Sequence, residues 1–252
     1  MEEAISVIPA ATIMLMCDGE NGLEVLLLRR NQKAGFAPGA YVFPGGRVDA
    51  ADSEIAILDR IDSLTSKEAA LRLELTDGQP SGIAYYVAAV RETFEETGIL
   101  IAVSTDGSAP PTTAENQGVR ALRKALIGWV ISFKDILVKL DCRLDGSAMQ
   151  YAAHWITPVT WPVRFDTRFF AAQLTSKRAC TVDTREITEG LWITPNNAIS
   201  RHEAGNLPML LPTITMLERL STYEQTEEAL GALAKEQVRP ILPVADTIPT
   251  DI

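Results

Sequence analysis

The stretch AAVRETFEETGIL, residues 88–100, constrains the fold of this chain more than any other. It places four charged side chains within six positions, flanks them with apolar residues and follows them with a glycine. The pattern predicts a helix over 83–97 with Gly98 as its C-cap. On such a helix Glu92, Glu95 and Glu96 stand at i, i+3 and i+4, so their side chains share one face within one turn. Carboxylates that close repel one another unless a cation sits among them. Arg91, four residues before Glu95, pairs with one of them and cannot neutralise three. A hard divalent ion such as Mg²⁺ or Mn²⁺ resolves the repulsion with oxygen ligands. Read alone, the run also fits the solvated acidic face of a surface helix.

The remaining pattern supplies the fold class. Two β-rich runs, 5–17 and 23–29, flank DGENG and predict a hairpin feeding a sheet. A short strand over 41–43 ends in Pro44-Gly45-Gly46, where the double glycine predicts unusual backbone angles or a close approach to the main chain. Helices are expected over 52–61 and 65–75, the second opened by a Thr65/Glu68 capping box, and DGQPSG breaks the pattern before 83. A strand over 99–103 and helices over 118–128 and 132–140 follow. Strand pattern returns in YAAHWITP, RFDTRFFAAQL and EGLWITP, and helices are expected near 195–203, 212–222 and 226–237 before a loose, Pro-rich end. Interleaved strands and helices predict an α/β fold, a mixed β-sheet sandwiched between helices, in a single domain over 1–252.

Bulk properties narrow the function. A formal charge of -10 argues against a protein that grips a nucleic-acid polymer with its own basic surface. Three widely separated cysteines without C-x-x-C spacing predict reduced, mostly buried thiols rather than a disulfide framework or a zinc site. The N-terminus lacks a basic leader and its apolar run is too short and interrupted to span a bilayer, so no membrane partner and a cytoplasmic location are expected.

Gly46, with Asp52 downstream, and the run Arg91-Glu92-Thr93-Phe94-Glu95-Glu96-Thr97-Gly98-Ile99 together resemble a Nudix box. The family pattern is Gly, five residues, Glu, seven residues, then Arg-Glu-apolar-x-Glu-Glu-x-Gly-apolar. Asp52 stands in the first glutamate's place, Thr93 replaces an apolar residue, and residues 53–90 put 38 positions where the family has seven. Loop-closure cost grows only logarithmically with length, so such an insertion is tolerable. An interrupted box, preceded by YVFPGGRVDAAD and followed by RFDTRFF and a Trp-x-x-Pro segment, is similar to the Nudix branch that includes the peroxisomal and mitochondrial acyl-CoA diphosphatases.

The resemblance implies a Nudix fold with a helical insertion over 53–84 and a C-terminal helical extension over 196–240. It implies hydrolysis of a nucleoside diphosphate derivative, such as CoA or acyl-CoA, by water attack on phosphorus. Glu92, Glu95 and Glu96 would hold Mg²⁺ or Mn²⁺ together with the Gly46 or Gly45 carbonyl, and Arg91 would orient the cluster. The base would be Glu92 or a loop acid, Glu186 or Glu189; whether Asp52 stays at the site is put in question by the insertion. Arg30 and Arg168 are candidates for substrate phosphate, Arg168 having a structural pairing near Asp166 as its other reading. Alternation predicts Phe165, Thr167 and Phe169 on one side of their strand and Asp166, Arg168 and Phe170 on the other. His154 and His202 lack partner spacing, and Trp155, Trp161 and Trp192 fit base stacking or core packing. The insertion is expected to shape substrate access or a subunit contact, and the extra helices suggest a homodimer. A Nudix-fold nucleotide sensor without turnover is the competing reading; the intact glutamate set argues against it.

Overall fold

The computed structural model describes residues 7–182 and 185–243. The chain opens with an antiparallel hairpin, β1 (Ile8–Gly19) and β2 (Gly22–Arg30), followed by β3 (Tyr41–Val42) and β4 (Gly45–Arg47). A 3₁₀ turn (Ala50–Ser53) leads to α1 (Ile55–Leu58), β5 (Ile61–Asp62), α2 (Ser66–Arg72) and the long α3 (Gly82–Thr97). Next come β6 (Val103–Ser104), α4 (Gln117–Ile127), α5 (Phe133–Lys139), β7 (Cys142–Asp145), β8 (Gln150–Ile156), β9 (Phe165–Gln173) and β10 (Ile187–Ile193). The last elements are α6 (Pro195–Glu203), α7 (Leu211–Leu220), α8 (Thr226–Leu233) and β11 (Pro240–Ile241).

The main sheet runs β10-β2-β1-β9-β8-β11, mixed because β1 lies parallel to β9 and antiparallel to β2. Side chains on β1 alternate between two cores, Ile13 and Leu15 into one and Met14 and Met16 into the other. A sheet covered on both faces requires such a continuous apolar strand. The helix α3 covers one face; α6, α7 and α8 supply Ala198, Leu217, Leu220 and Leu233 to the other. The expected sandwich of helices around a mixed sheet is what the chain forms.

One departure from a regular hairpin creates the site. β1 and β2 pair only between Met16/Val25 and Gly19/Gly22. Beyond that they part: Ala10–Thr12 of β1 takes β4 as its partner, and Leu28 and Arg29 of β2 take β3. The glycine turn of 44–46 is thereby wedged between the diverging strands.

Several expected elements differ. The helix expected over 52–61 is a 3₁₀ turn, a one-turn helix and a strand that pairs in parallel with β7, and the helix over 65–75 is confined to Ser66–Arg72. Ser63 and Glu74 adopt left-handed backbone (φ 60° and 50°), which punctuates the segment on either side of α2. The capping box at Thr65 is present, with Thr65 N–H donating to Glu68 and Glu68 N–H to Thr65 Oγ1. The strand over 99–103 shrinks to Val103–Ser104, and β7 and β11 were not anticipated. The first residues of the 5–17 strand and the Pro-rich end beyond 243 lie outside the described residues.

The C-terminal helices are not spare. Their apolar residues complete the second core. Among the described residues no helix is long and apolar enough to cross a membrane. Cys17 and Cys142 are buried, Cys180 is half-buried, and all three are free.

Candidate active site

Fourteen of the sixteen residues of α3 are buried, which leaves Glu92 and Glu95 as its only partly exposed positions. A helix apolar on nearly every side must lie inside a protein, so the acidic run is not a solvated face. Phe94, fully buried behind the glutamates, contributes roughly 2–3 kcal/mol of burial free energy to holding that helix in register. Thr93, the residue that departs from the apolar pattern, donates its hydroxyl to the Ala89 carbonyl at 2.7 Å and so buries without an unsatisfied group. Gly98 ends the helix in left-handed backbone (φ 73°), its N–H on the Phe94 carbonyl.

Arg91 is the hub. Its Nε and Nη2 donate to Asp52 Oδ1 and Oδ2 at 2.8 and 2.9 Å, a two-pronged pair, and Nη2 also reaches the Arg47 carbonyl at 2.8 Å. Nη1 donates to Glu92 Oε1 at 3.0 Å and Glu95 Oε1 at 3.3 Å, and Asp49 lies 3.5 Å from Nη2. Burial works against the guanidinium's charge, but the hydrogen bonds it donates to Asp52 and the field of Glu92 outweigh it and push its pKa up. Asp52, 1% exposed, is therefore inside the cluster, and the doubt raised by the insertion is removed. The inserted segment leaves directly after Asp52 and returns as α3, so the Asp52–Arg91 pair rejoins the two halves of the split motif. In between, Ile57, Leu64, Ala69 and Leu73 pack into the core on the α3 side of the sheet. No residue of 53–84 lines the cleft described below, which counts against a role for the insertion in substrate access.

The glycine turn meets the helix from the other side. Gly45 N–H donates to Glu96 Oε2 at 2.9 Å. A side chain at Gly45 (φ 154°) would collide with the Ala11 carbonyl at 2.4 Å, and a Cβ at Gly46 would lie 2.5 Å from the Glu92 carboxyl carbon. Glycine at 46 is thus the cradle in which Glu92 rests. Burial, then Glu95's charge, pushes Glu92 up to about 7 against the opposing pull of Arg91. Burial also raises Glu95, and burial with the adjacent charge of Glu92 raises Glu96 well above the ordinary carboxylate range.

These are hard oxygen donors with more negative charge than Arg91 offsets, which fits a divalent cation of the Mg²⁺ or Mn²⁺ kind. Among the described residues no three acidic, histidine or cysteine side chains already converge as a metal cage. Instead Glu92 and Glu95 lean to Arg91 and Glu96 to the Gly45 amide. The donor chemistry fits the ion.

The glutamates open on a cleft of about 880 Å³. Arg30, Lys33, Arg47 and Arg185 line it together with the acids, a concentration of cations in a chain of net charge -10. The same cleft carries an apolar trough of Trp155, Trp161, Phe36, Phe165, Phe169 and Leu211. Phe36 packs against Trp161 and Phe165 with ring centroids 5.6 and 5.3 Å apart.

Alternation along the strands decides which expected residues arrive. Arg30 lines the cleft and its charge opposes the raising of Glu96, whereas Arg29 turns the other way, over the Tyr41 ring. Phe165, Thr167 and Phe169 line the cleft while Arg168 and Phe170 face the opposite core. Arg168 is therefore corrected as a substrate contact: it is 2% exposed, donates to Asp166 Oδ1 at 3.0 Å and lies over the Tyr85 ring. His154 accompanies it, 2.5 Å from Asp166. Glu189 is corrected too, since it accepts a bond from Tyr41 Oη at 2.7 Å on the Arg29 side and does not line the cleft. Glu186 does line it, separated from Glu189 by the register shift in β10. Trp155 and Trp161 sit in the trough, while Trp192 is half-buried with its N–H on the Arg178 carbonyl. Lys33 and Trp129 were missed; both stand in turns, where periodicity carries no signal.

The family described as the NUDT19 Nudix domain matches residues 1–220. Acyl-coenzyme A diphosphatase NUDT19 of Gallus gallus is 30% identical over 237 residues, covering 81% of this chain and 63% of the relative. The Xenopus laevis protein of the same name is 27% identical over 233 residues, covering 81% of this chain and 61% of its own length. The chain thus spans about three fifths of these curated relatives. The crystal structure of a NUDIX hydrolase from Alicyclobacillus acidocaldarius superposes with a TM-score of 0.71 at 28% identity, covering 92% of this chain and 99% of that one.

Proposed function

The chain belongs to the NUDT19 Nudix domain family, and from that premise we propose that it is a divalent-metal-dependent pyrophosphohydrolase acting on a coenzyme A-type nucleoside diphosphate derivative. The observation that carries this reading is the make-up of one cleft, which combines a carboxylate cluster, several cations and an aromatic trough. A pyrophosphate whose arm carries apolar groups, the gem-dimethyl of pantetheine and the acyl chain of a thioester, matches that combination. In the reaction a water oxygen forms a bond to one phosphorus while that phosphorus loses its bond to the bridging oxygen. Two phosphomonoesters leave, and the water's first proton passes to a carboxylate.

Glu92, Glu95 and Glu96 would hold Mg²⁺ or Mn²⁺, which would offset the phosphate charge and lower the pKa of the attacking water. Arg91, fixed by Asp52, keeps Glu92 and Glu95 in place, and Arg30, Lys33 and Arg185, which line the same cleft, would bind the outer phosphate oxygens. Glu92 is the carboxylate we assign to take the proton, Arg91 holding its Oε1 in place.

The test is a panel of CoA, acyl-CoAs, NADH, ADP-ribose and dinucleoside polyphosphates with Mg²⁺, Mn²⁺ or EDTA, read by product mass. Cleavage of CoA or its thioesters to 3′-phospho-AMP and a phosphopantetheine, only with metal, is expected, and Glu95→Gln should lower turnover by about 100-fold or more. A chain that binds these ligands and cleaves none of them is a sensor, and the proposal fails.

A further inference from the structure

The turn after α4 holds a residue that the fold itself disfavours. The Trp129 N–H bonds to the Leu126 carbonyl and the Val130 N–H to the Ala125 carbonyl, both at 2.9 Å, the paired pattern that closes a helix through one left-handed residue. Glycine is the usual occupant of that position. Here Gly128 stands one place too early, in ordinary backbone, and the left-handed residue is Trp129 at φ 58°. A bulky side chain there strains the backbone, and Trp129 gains no packing in return, because it is 84% exposed. Backbone strain and an exposed indole both work against folding, which points to a task outside the fold.

The surroundings indicate the task. Trp129 lines the same cleft as Glu95 and Asp49. Its helix is tied to the catalytic cluster, since Arg123 of α4 donates through Nε to the Glu95 carbonyl at 2.9 Å. The apolar trough, in contrast, is built mainly from β8, β9 and the loop between them, with Phe36 and Leu211 added from elsewhere, and has walls such as Trp155 and Phe169 only 6% exposed. An apolar arm belongs in that enclosed trough. A wet, open ring suits a flat group that offers a π face and keeps its polar edge hydrated.

We propose that Trp129 is a substrate-binding residue whose indole stacks on the purine base of the nucleotide half of the substrate. This rests on the reading of the cleft as a nucleoside diphosphate site. Stacking of this kind is worth a factor of about 5 to 150 in affinity.

The experiment uses Trp129→Gly and Trp129→Phe in the full chain, with ADP and 4′-phosphopantetheine as separate probes. Trp129→Gly should melt about 2–4 °C higher than the parent as the strain is relieved. It should bind ADP about 5- to 150-fold more weakly and raise KM more than it lowers kcat, with phosphopantetheine affinity unchanged. Trp129→Phe should restore most of the ADP affinity while removing the ADP-dependent quenching of tryptophan fluorescence. Unchanged ADP affinity in Trp129→Gly overturns the assignment, as does a melting point several degrees lower, which would make the ring structural. Weakened phosphopantetheine with intact ADP binding overturns it in favour of the arm. If the parent cleaves CoA-type substrates while Trp129→Gly behaves like it, only this inference fails; if the parent cleaves nothing, the pyrophosphohydrolase reading fails.

Discussion

Replacing Gly46 by alanine tests the site's geometry with one added methyl group. The new Cβ would stand 2.5 Å from Glu92 Cδ and 2.6 and 2.7 Å from its two oxygens, where ordinary contact begins at 3.4 Å, so the carboxylate must retreat by about 0.9 Å. Glu92 is the far end of a flexible side chain, and leaving its preferred rotamer costs about 0.5–1.5 kcal/mol. Alanine in an extended segment regains about 0.5–1 kcal/mol over glycine through the unfolded chain. The two nearly cancel, and the melting temperature should stay within about 4 °C of the parent. Turnover should not survive as well: a displacement near 1 Å at the reacting centre is worth about 100-fold. Gly45→Ala is the contrasting variant, because its Cβ would strike the Ala11 carbonyl and the Thr12 Cα, which are backbone, at a φ of 154°. That variant should lose several kcal/mol of stability rather than turnover alone. Thermal melts alongside steady-state hydrolysis separate the two effects. A stable Gly46→Ala protein with parental kcat/KM would show that Glu92 does not act from the cradle described here.

Two further outcomes follow from the buried charges. Asp52→Asn removes one partner of a pair in which Asp52 is 1% and Arg91 8% exposed, and should destabilise the chain by about 3 kcal/mol, read as a lower denaturant midpoint; a midpoint equal to the parent's would show that Glu92 and Glu95 suffice to hold the guanidinium. For pH, the folded-state pKa of Glu92 is about 7, above its unfolded value, so between about 4.5 and 7 the folded chain binds more protons and metal-free stability falls as pH rises. The decline should be on the order of 3 kcal/mol from Glu92 and be smaller in Glu92→Gln; Mg²⁺ or Mn²⁺ should flatten it, and a metal-free chain more stable at pH 7.5 than at pH 5 would contradict the burial of these acids.

Local periodicity was enough to place the three glutamates on one turn of one helix, because i, i+3 and i+4 spacing is a property of that helix alone. It was also enough to separate Phe165 and Thr167 from Arg168, since alternation along β9 is unbroken over those positions. It failed where a local rule was interrupted. Around β10 the strand pattern in EGLWITP does not say which acid reaches the cleft: the register shift between Ile187 and Glu189 interrupts the alternation there, and it is Glu186 that lines the cleft while Glu189 accepts from Tyr41. Ser63 and Glu74 in left-handed backbone interrupt a composition that otherwise reads as continuous helix. Gly128 advertised the end of α4 one residue before the chain actually turns, which concealed Trp129.

Asp52 was illegible for a different reason. Its partner lies 39 positions away, and no local pattern states where an inserted segment will return. The packing answers this physically. The insertion buries Ile57, Leu64, Ala69 and Leu73 in the core that α3 shares, and α2 lies directly on α3, so the segment must close back beside that helix for its own apolar side chains to be covered. Once it does, Asp52 is delivered to Arg91, and the helix loses most of its remaining contact with water. Burial is the largest cause of the raised pKa values of Glu92, Glu95 and Glu96. An insertion that contributes no side chain to the cleft therefore acts on the chemistry indirectly. It helps make the surroundings of three carboxylates dry enough that they favour either a proton or a cation, and the switch between those two states is what the pH and metal measurements would read.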